Sequence, residues 1–335
     1  MAAEGGGERH EEPAWLRTGL RSPLAPALDA SAQDKSKAAA PAAPQQKTFE
    51  TPKAAADALV EAAEKYDVTA LTQILGKDGE ALVVTADPVQ DKNQLAAFAA
   101  KAREKSEIVT DKKNPNKAVL QLGDQDWPMP IPIVRKGGKW LFDSKAGRTE
   151  ILYRRIGSNE LGAIEACHNY VEAQQEYALQ KHDGSSLNQY AQKVISTEGK
   201  QDGLAWKNPD GTFGGPLGGD LARVLAEGYS KKAEPFHGYY FKILKGQGPA
   251  APIGRIDFVV KGVMIGGFAL VAAPAEYRVT GVKTFIVSHD GVVYEKDLGP
   301  KTVEAFKAME LYNPDKTWSP VVESPASPEP PAANR

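Results

Sequence analysis

From His237 to Gly299 the chain runs through short β-rich stretches separated by glycine, proline and an Asp-Gly pair. That punctuation points to a compact antiparallel sheet. The stretches are Tyr239–Leu244, Asp257–Lys261, Gly266–Ala272, Thr284–Val287 and Val292–Glu295, and Asp290-Gly291 is a strong hairpin signal between the last two. Gly262, Gly266 and Gly267 mark turns or bulges in the middle of the sheet. A sheet of this kind sets an architecture and brings no catalytic group with it.

Ahead of the sheet the pattern is helical. Ser158 is a plausible N-cap for a long helix to about Lys181, with Leu161, Ile164, Cys167, Val171 and Ala178 on its apolar stripe and Gln174 and Gln175 interrupting it. Shorter helices are expected over 187–195 and 217–229, with a Gly/Pro/Asn-rich loop over 200–215 between them.

An earlier domain, residues 48–147, opens with three helices. Thr51-Pro52 pairs a hydroxyl N-cap with proline at the first helical position, and Ala55, Leu59, Ala62 and Tyr66 follow at helical spacing. Asp67 caps a second short helix that Gly76 stops. Leu95, Phe98, Ala99 and Ala102 lie on a third. Strands follow at 107–110, 117–122, 131–135 and 139–143, with Gly137-Gly138 turning the last pair; Trp140 and Phe142 share one face. The fold class is therefore α+β in two domains, 48–147 and 148–318. Each sets helices against an antiparallel sheet, between a disordered start (1–47) and a Pro/Ala/Ser/Glu tail (319–335).

Charge and cysteine narrow the function. The 41 Lys+Arg nearly balance 43 Asp+Glu, so no basic excess favours nucleic acid. A single cysteine, Cys167, rules out an intrachain disulfide and a multi-cysteine zinc site. The longest apolar stretch, 262–275, is glycine-rich and too short to span a membrane. Near the start, Arg17 and Arg21, the apolar patch Leu24–Leu28 and Ala30-Ser31-Ala32 stand in the order of a secretory signal, though the patch is short and holds a proline. Export would leave a chain starting near Gln33 and a periplasmic or secreted protein.

No nucleophile elbow, zinc-helix, phosphate-loop or dinucleotide motif occurs, so no catalytic residue, cofactor or metal is expected. The residues marked as a candidate pocket or contact are Asp124, Asp126 and Trp127, the junction arginines Arg154 and Arg155, and His237 and His289. The acids without a partner base are read first as solvated, and two histidines without a third ligand as structural. Beside the arginines, which lie near Arg148, interdomain ion pairing is weighed against anion binding. Cys167 on the apolar stripe is read as a buried, inert thiol.

Three resemblances follow from residue blocks. Helices leading into strands that close on Lys139-Trp140-Leu141-Phe142-Asp143 resemble the cone-shaped nuclear-transport-factor-two-like superfamily, which implies a sheet whose concave face can hold a pocket. Asn159-Glu160, Ala173-Gln174 and Tyr177, with Gly238-Tyr239-Tyr240-Phe241, Ala272-Ala273-Pro274, Thr280-Gly281 and Asp290-Gly291-Val292, are similar to the head of type IV pilin-like proteins, without their membrane helix. Asp126–Pro132, Arg154–Leu161, His237–Tyr240, Met264–Ala269 and Phe285–Tyr294 together resemble the bacterial domain-of-unknown-function twenty-nine-fifty family, over about 48–318. That last resemblance implies an exported or envelope protein and carries over no site. The expectation is a non-catalytic binding or assembly module with an envelope protein partner, contacting it through a sheet edge or the Gly-rich loop. The alternative is a small-molecule binder or enzyme with a pocket near Trp127.

Overall fold

The computed structural model describes residues 46–85, 87–218 and 237–322. The secretory-signal segment, most of the expected 217–229 helix and the end of the C-terminal tail lie outside the described residues. Two compact units divide between Arg155 and Ile156.

Unit one opens with α1 (Pro52–Glu64), whose N-terminus is capped by Thr51 accepting from Ala54 N at 3.1 Å. Asp67 caps α2 (Val68–Leu75) in the same way, and Gly76 ends it. A 3-10 turn at Lys77–Leu82 leads to α3 (Pro88–Glu104), capped by Asp87. The ends of α1 and α2 were legible because the capping oxygen replaces an orphan backbone partner locally, with no need of tertiary contacts.

The sheet of unit one contains β1 (Ser106–Thr110), β2 (Lys117–Leu122), β3 (Trp127–Pro128), β4 (Ile133–Lys136) and β5 (Lys139–Phe142), in the order β1-β2-β4-β5 with β3 also on β2. In β2 the alternation is clean: Ala118, Leu120 and Leu122 point into the core. On β5 the Trp140/Phe142 face is the core side; Phe142 is buried and Trp140 packs against the same cluster. Leu59, Leu71, Ile74 and Phe98 from the three helices complete that core.

The long helix α4 departs from expectation. It covers Ser144–Tyr177 in one run of 34 residues, so Ser158 is an exposed position inside it. Asp143, whose Oδ1 accepts from Ala146 N at 3.1 Å, caps the true start. Ser158 has the chemistry of a cap, but the residues before it continue the helix and leave it no orphan amide to serve. Leu161, expected on the buried stripe, is 69% exposed, while Ala163, Ala166, Cys167, Tyr170 and Ala173 are buried.

No helix forms over 187–195. That stretch is irregular, tied down by side chains and followed by the small hairpin β6 (Trp206–Lys207) and β7 (Phe213–Gly214). Asp202 organises the turn before the hairpin. It accepts from Thr197 N and Oγ1 and pairs with Lys193 Nζ at 2.8 Å. Partial burial works against its charge, but these bonds prevail and hold its carboxyl at about 2.

The sheet of unit two is closer to expectation. Its first strand is β8 (Tyr239–Leu244), and small ladders follow in β9 (Gly246–Gln247) with β10 (Ile256–Asp257) and β11 (Val259–Val260) with β12 (Val263–Met264). With β13 (Ala269–Pro274), β14 (Lys283–Ser288), β15 (Tyr294–Asp297) and β16 (Ser319–Pro320), β8 builds an antiparallel sheet in the order β16-β15-β14-β13-β8. All of β13 is buried, and so is β14 after its first residue. Such burial on both faces explains why these strands read as continuous apolar runs rather than alternating ones. Tyr170 of α4 packs into this core, as does Phe306 of the short helix α5 (Thr302–Ala308). Among the described residues no helix is long and apolar enough to cross a membrane.

Candidate functional site

A partly open pocket lies in unit one between the helices and the sheet. Leu59 and Ala63 come from α1, Leu71 and Leu75 from α2, and Leu95 and Phe98 from α3. Leu82 and Val83, from the link after α2, add a further part of the wall.

The sheet-side wall follows from an alternation of prolines. Pro128, Pro130 and Pro132 have no N–H to give a ladder, so regular pairing to β2 lapses between β3 and β4. One bond persists there, from Met129 N to Leu120 O at 2.8 Å. Met129 and Ile131, two residues apart, therefore share one face; both are buried and both line the pocket.

Two polar side chains join the lining, Asp91 and Gln94 of α3. Asp91 is only 5% exposed. Its Oδ2 accepts from Thr85 N at 2.8 Å and its Oδ1 from Thr85 Oγ1 at 2.6 Å. The apolar stripe of α3 begins in the sequence at Leu95. Carrying the spacing back four residues places Asp91 on the same face as Leu95 and Phe98, a carboxylate where an apolar residue is due.

None of the candidate residues named from sequence lines this pocket. Asp124 is exposed. Asp126, at φ 51°, is exposed and pairs with Lys105 at 2.7 Å. Its hydrogen bond holds the Lys105 ammonium above its ordinary range. Trp127 is half-buried against the core, with the Arg154 guanidinium 5.6 Å from its ring centre. Arg154 also donates to Pro128 O at 2.7 Å and to Glu150 at 2.8 Å. Those bonds clamp the start of the proline-rich wall, which is a positioning role.

Arg155 is half-buried, its Nε without a hydrogen-bond partner among the described residues. Arg148 pairs with Asp78 inside unit one. His237 is exposed at φ 42°, with its ring over Gly162 of α4. His289 is half-buried, edge-on to Phe258 and Phe268. The two histidines thus occupy different packing environments. No group of His, Cys, Asp and Glu among the described residues has the geometry to hold a metal ion. Cys167 is fully buried, and burial pushes its thiol up to about 12.

Three of the blocks that carried the pilin-like resemblance, those of Asn159-Glu160, Tyr239 and Thr280-Gly281, meet at a structural junction in unit two. Asn159 Nδ2 donates to Thr280 O at 2.8 Å, and Glu160 Oε1 accepts from Val282 N at 2.8 Å and Lys283 N at 3.0 Å. Tyr239 donates to Lys283 O at 2.8 Å. Charge-assisted bonds from backbone amides to a carboxylate make this a strong tether of α4 to the sheet.

A family model described as protein of unknown function (DUF2950) matches residues 46–321. No curated protein matches this chain, and no solved structure does.

Proposed function

We propose that this chain, which belongs to the DUF2950 family, is a non-catalytic binding module that holds a small, largely apolar ligand in the pocket of unit one. The observation that carries this reading is the lining itself: apolar walls from three helices and the proline-rich strand, with Asp91 and Gln94 as the polar groups. Concave, mostly apolar clefts with a few placed polar groups are the usual form of small-molecule sites. The pocket lies in the first domain close along the chain to Trp127: Met129 and Ile131 face the cavity, while Trp127 itself packs under Arg154.

The test uses 1-hexanol as probe and the methyl signals of Met129 and Ile131 as reporters. Saturable shifts are expected at both. Ala63→Leu, which fills the pocket from α1, is expected to weaken binding about tenfold or more while the protein stays folded. Wild-type methyl signals that never move would sink the proposal.

Export belongs to the same reading, supported by the order of Arg17, Arg21, Leu24–Leu28 and Ala30–Ala32. The N-terminal residue of the protein recovered from each cell compartment decides it. A periplasmic chain starting near Gln33 supports export, and a cytosolic chain that keeps Met1 or Ala2 rules it out. In the envelope, the ligand-loaded module could present itself to a protein partner.

A further inference from the structure

We propose that the ligand is an amphiphile with a cationic head, its apolar body against Leu71, Leu75 and Phe98 and its head on Asp91. This rests on the pocket being a binding site and adds the chemistry of what enters it. Asp91 is 5% exposed, and no cation among the described residues pairs with it. Buried carboxylates are ordinarily paired, because taking an ion out of water without an opposite charge is costly. Here the bonds come from one neutral residue, Thr85, one to each oxygen.

The α3 N-terminus, where Asp91 sits in the first turn, lends only a partial positive charge. Each carboxylate oxygen still has a second lone pair available. An ammonium entering the pocket would supply both the missing charge and the missing donors. A neutral alcohol would supply a donor alone, and an acid would add a second negative charge beside the first.

Gln94, three residues on, lines the same pocket. Thr85 occupies one lone pair on each oxygen, through its backbone N–H and its hydroxyl. The contrast with the other acids is direct. Asp78, Asp126 and Asp202 each have a basic partner in an ion pair, and each is far more exposed than Asp91. Asp91 alone combines burial, an apolar cavity and no cation among the described residues.

The experiment compares hexylamine, 1-hexanol and hexanoate on the full chain at neutral pH, by calorimetry and by the Met129 methyl signal. Hexylamine is expected to bind about tenfold or more tighter than hexanol, with hexanoate weakest. Asp91→Asn is expected to bring hexylamine down to the level of hexanol. Thr85→Ala, which keeps the carboxylate, is expected to retain the amine preference.

If hexanol binds but hexylamine gains nothing, or if the gain survives Asp91→Asn, the cationic head is wrong and the pocket stands. If none of the three probes binds, both fall. The wild-type ranking decides the matter even where Asp91→Asn fails to fold.

Discussion

Gln174→Leu is expected to destabilise unit two by about 3 kcal/mol. Gln174 is fully buried on α4, and its amide closes on one backbone unit from both sides. Nε2 donates to Ala191 O and Oε1 accepts from Ala191 N, each at 2.8 Å. Nε2 also donates to the Tyr170 hydroxyl at 3.0 Å.

Leucine matches the volume and adds apolar surface, but it leaves the N–H and C=O of a buried Ala191 without partners. Each orphaned group costs about 1–3 kcal/mol, and the apolar gain offsets only part of that. Urea unfolding would show a lower midpoint, and the Ala191 amide would exchange with solvent far faster than in the wild type. An unchanged midpoint together with unchanged Ala191 protection would show that the clamp is not needed.

Gly238→Ala is expected to cost about 2–5 kcal/mol in the same unit, from two separate causes. Gly238 has φ 72°, where a side chain is strained. An added Cβ would also lie 2.5 Å from the Thr280 Cβ and 2.9 Å from Asn159 Nδ2. Relief would push Thr280 away and loosen the Asn159–Thr280 bond beside the Glu160 tether.

Gly254→Ala separates the causes: its φ is 82°, but nothing lies within 4 Å of the new Cβ. That control is expected to cost only about 1–2 kcal/mol. Equal losses in the two variants would mean that the close approach at Gly238 contributes nothing.

Both predictions concern residues that the sequence exposed without explaining. Gln174 stood out as an interruption in the α4 stripe, and the structure shows the interruption to be the anchor for residues around Ala191. Because those residues are held by a side chain rather than by a helical ladder, periodicity over 187–195 could not reveal their irregular path. His237-Gly238-Tyr239-Tyr240 stood out as a block of resemblance, and its glycine proves to lie tightly against both Asn159 of α4 and Thr280.

At the candidate site the split is similar. Helices α1 and α2 were legible down to their caps and α3 by its stripe alone, and that stripe pointed at the pocket without reaching Asp91. Trp127 drew attention by residue type, yet Arg154, a residue of α4, draws it into packing.

By itself, then, the sequence determined what is local: the α+β class, the caps of α1 and α2, most strands of the two main sheets, the Gly137-Gly138 and Asp290-Gly291 hairpins and the family. Caps, turns and apolar periodicity act between residues a few positions apart, so their physics is written in adjacent letters. Tertiary structure decided what depends on partners far along the chain. It ran α4 through Ser158, bound Ala191 to Gln174, and turned Met129 and Ile131 toward the α3 face that carries Asp91. A buried carboxylate becomes informative only once its surroundings are known, because burial and the lack of a countercharge are properties of the packed space around it.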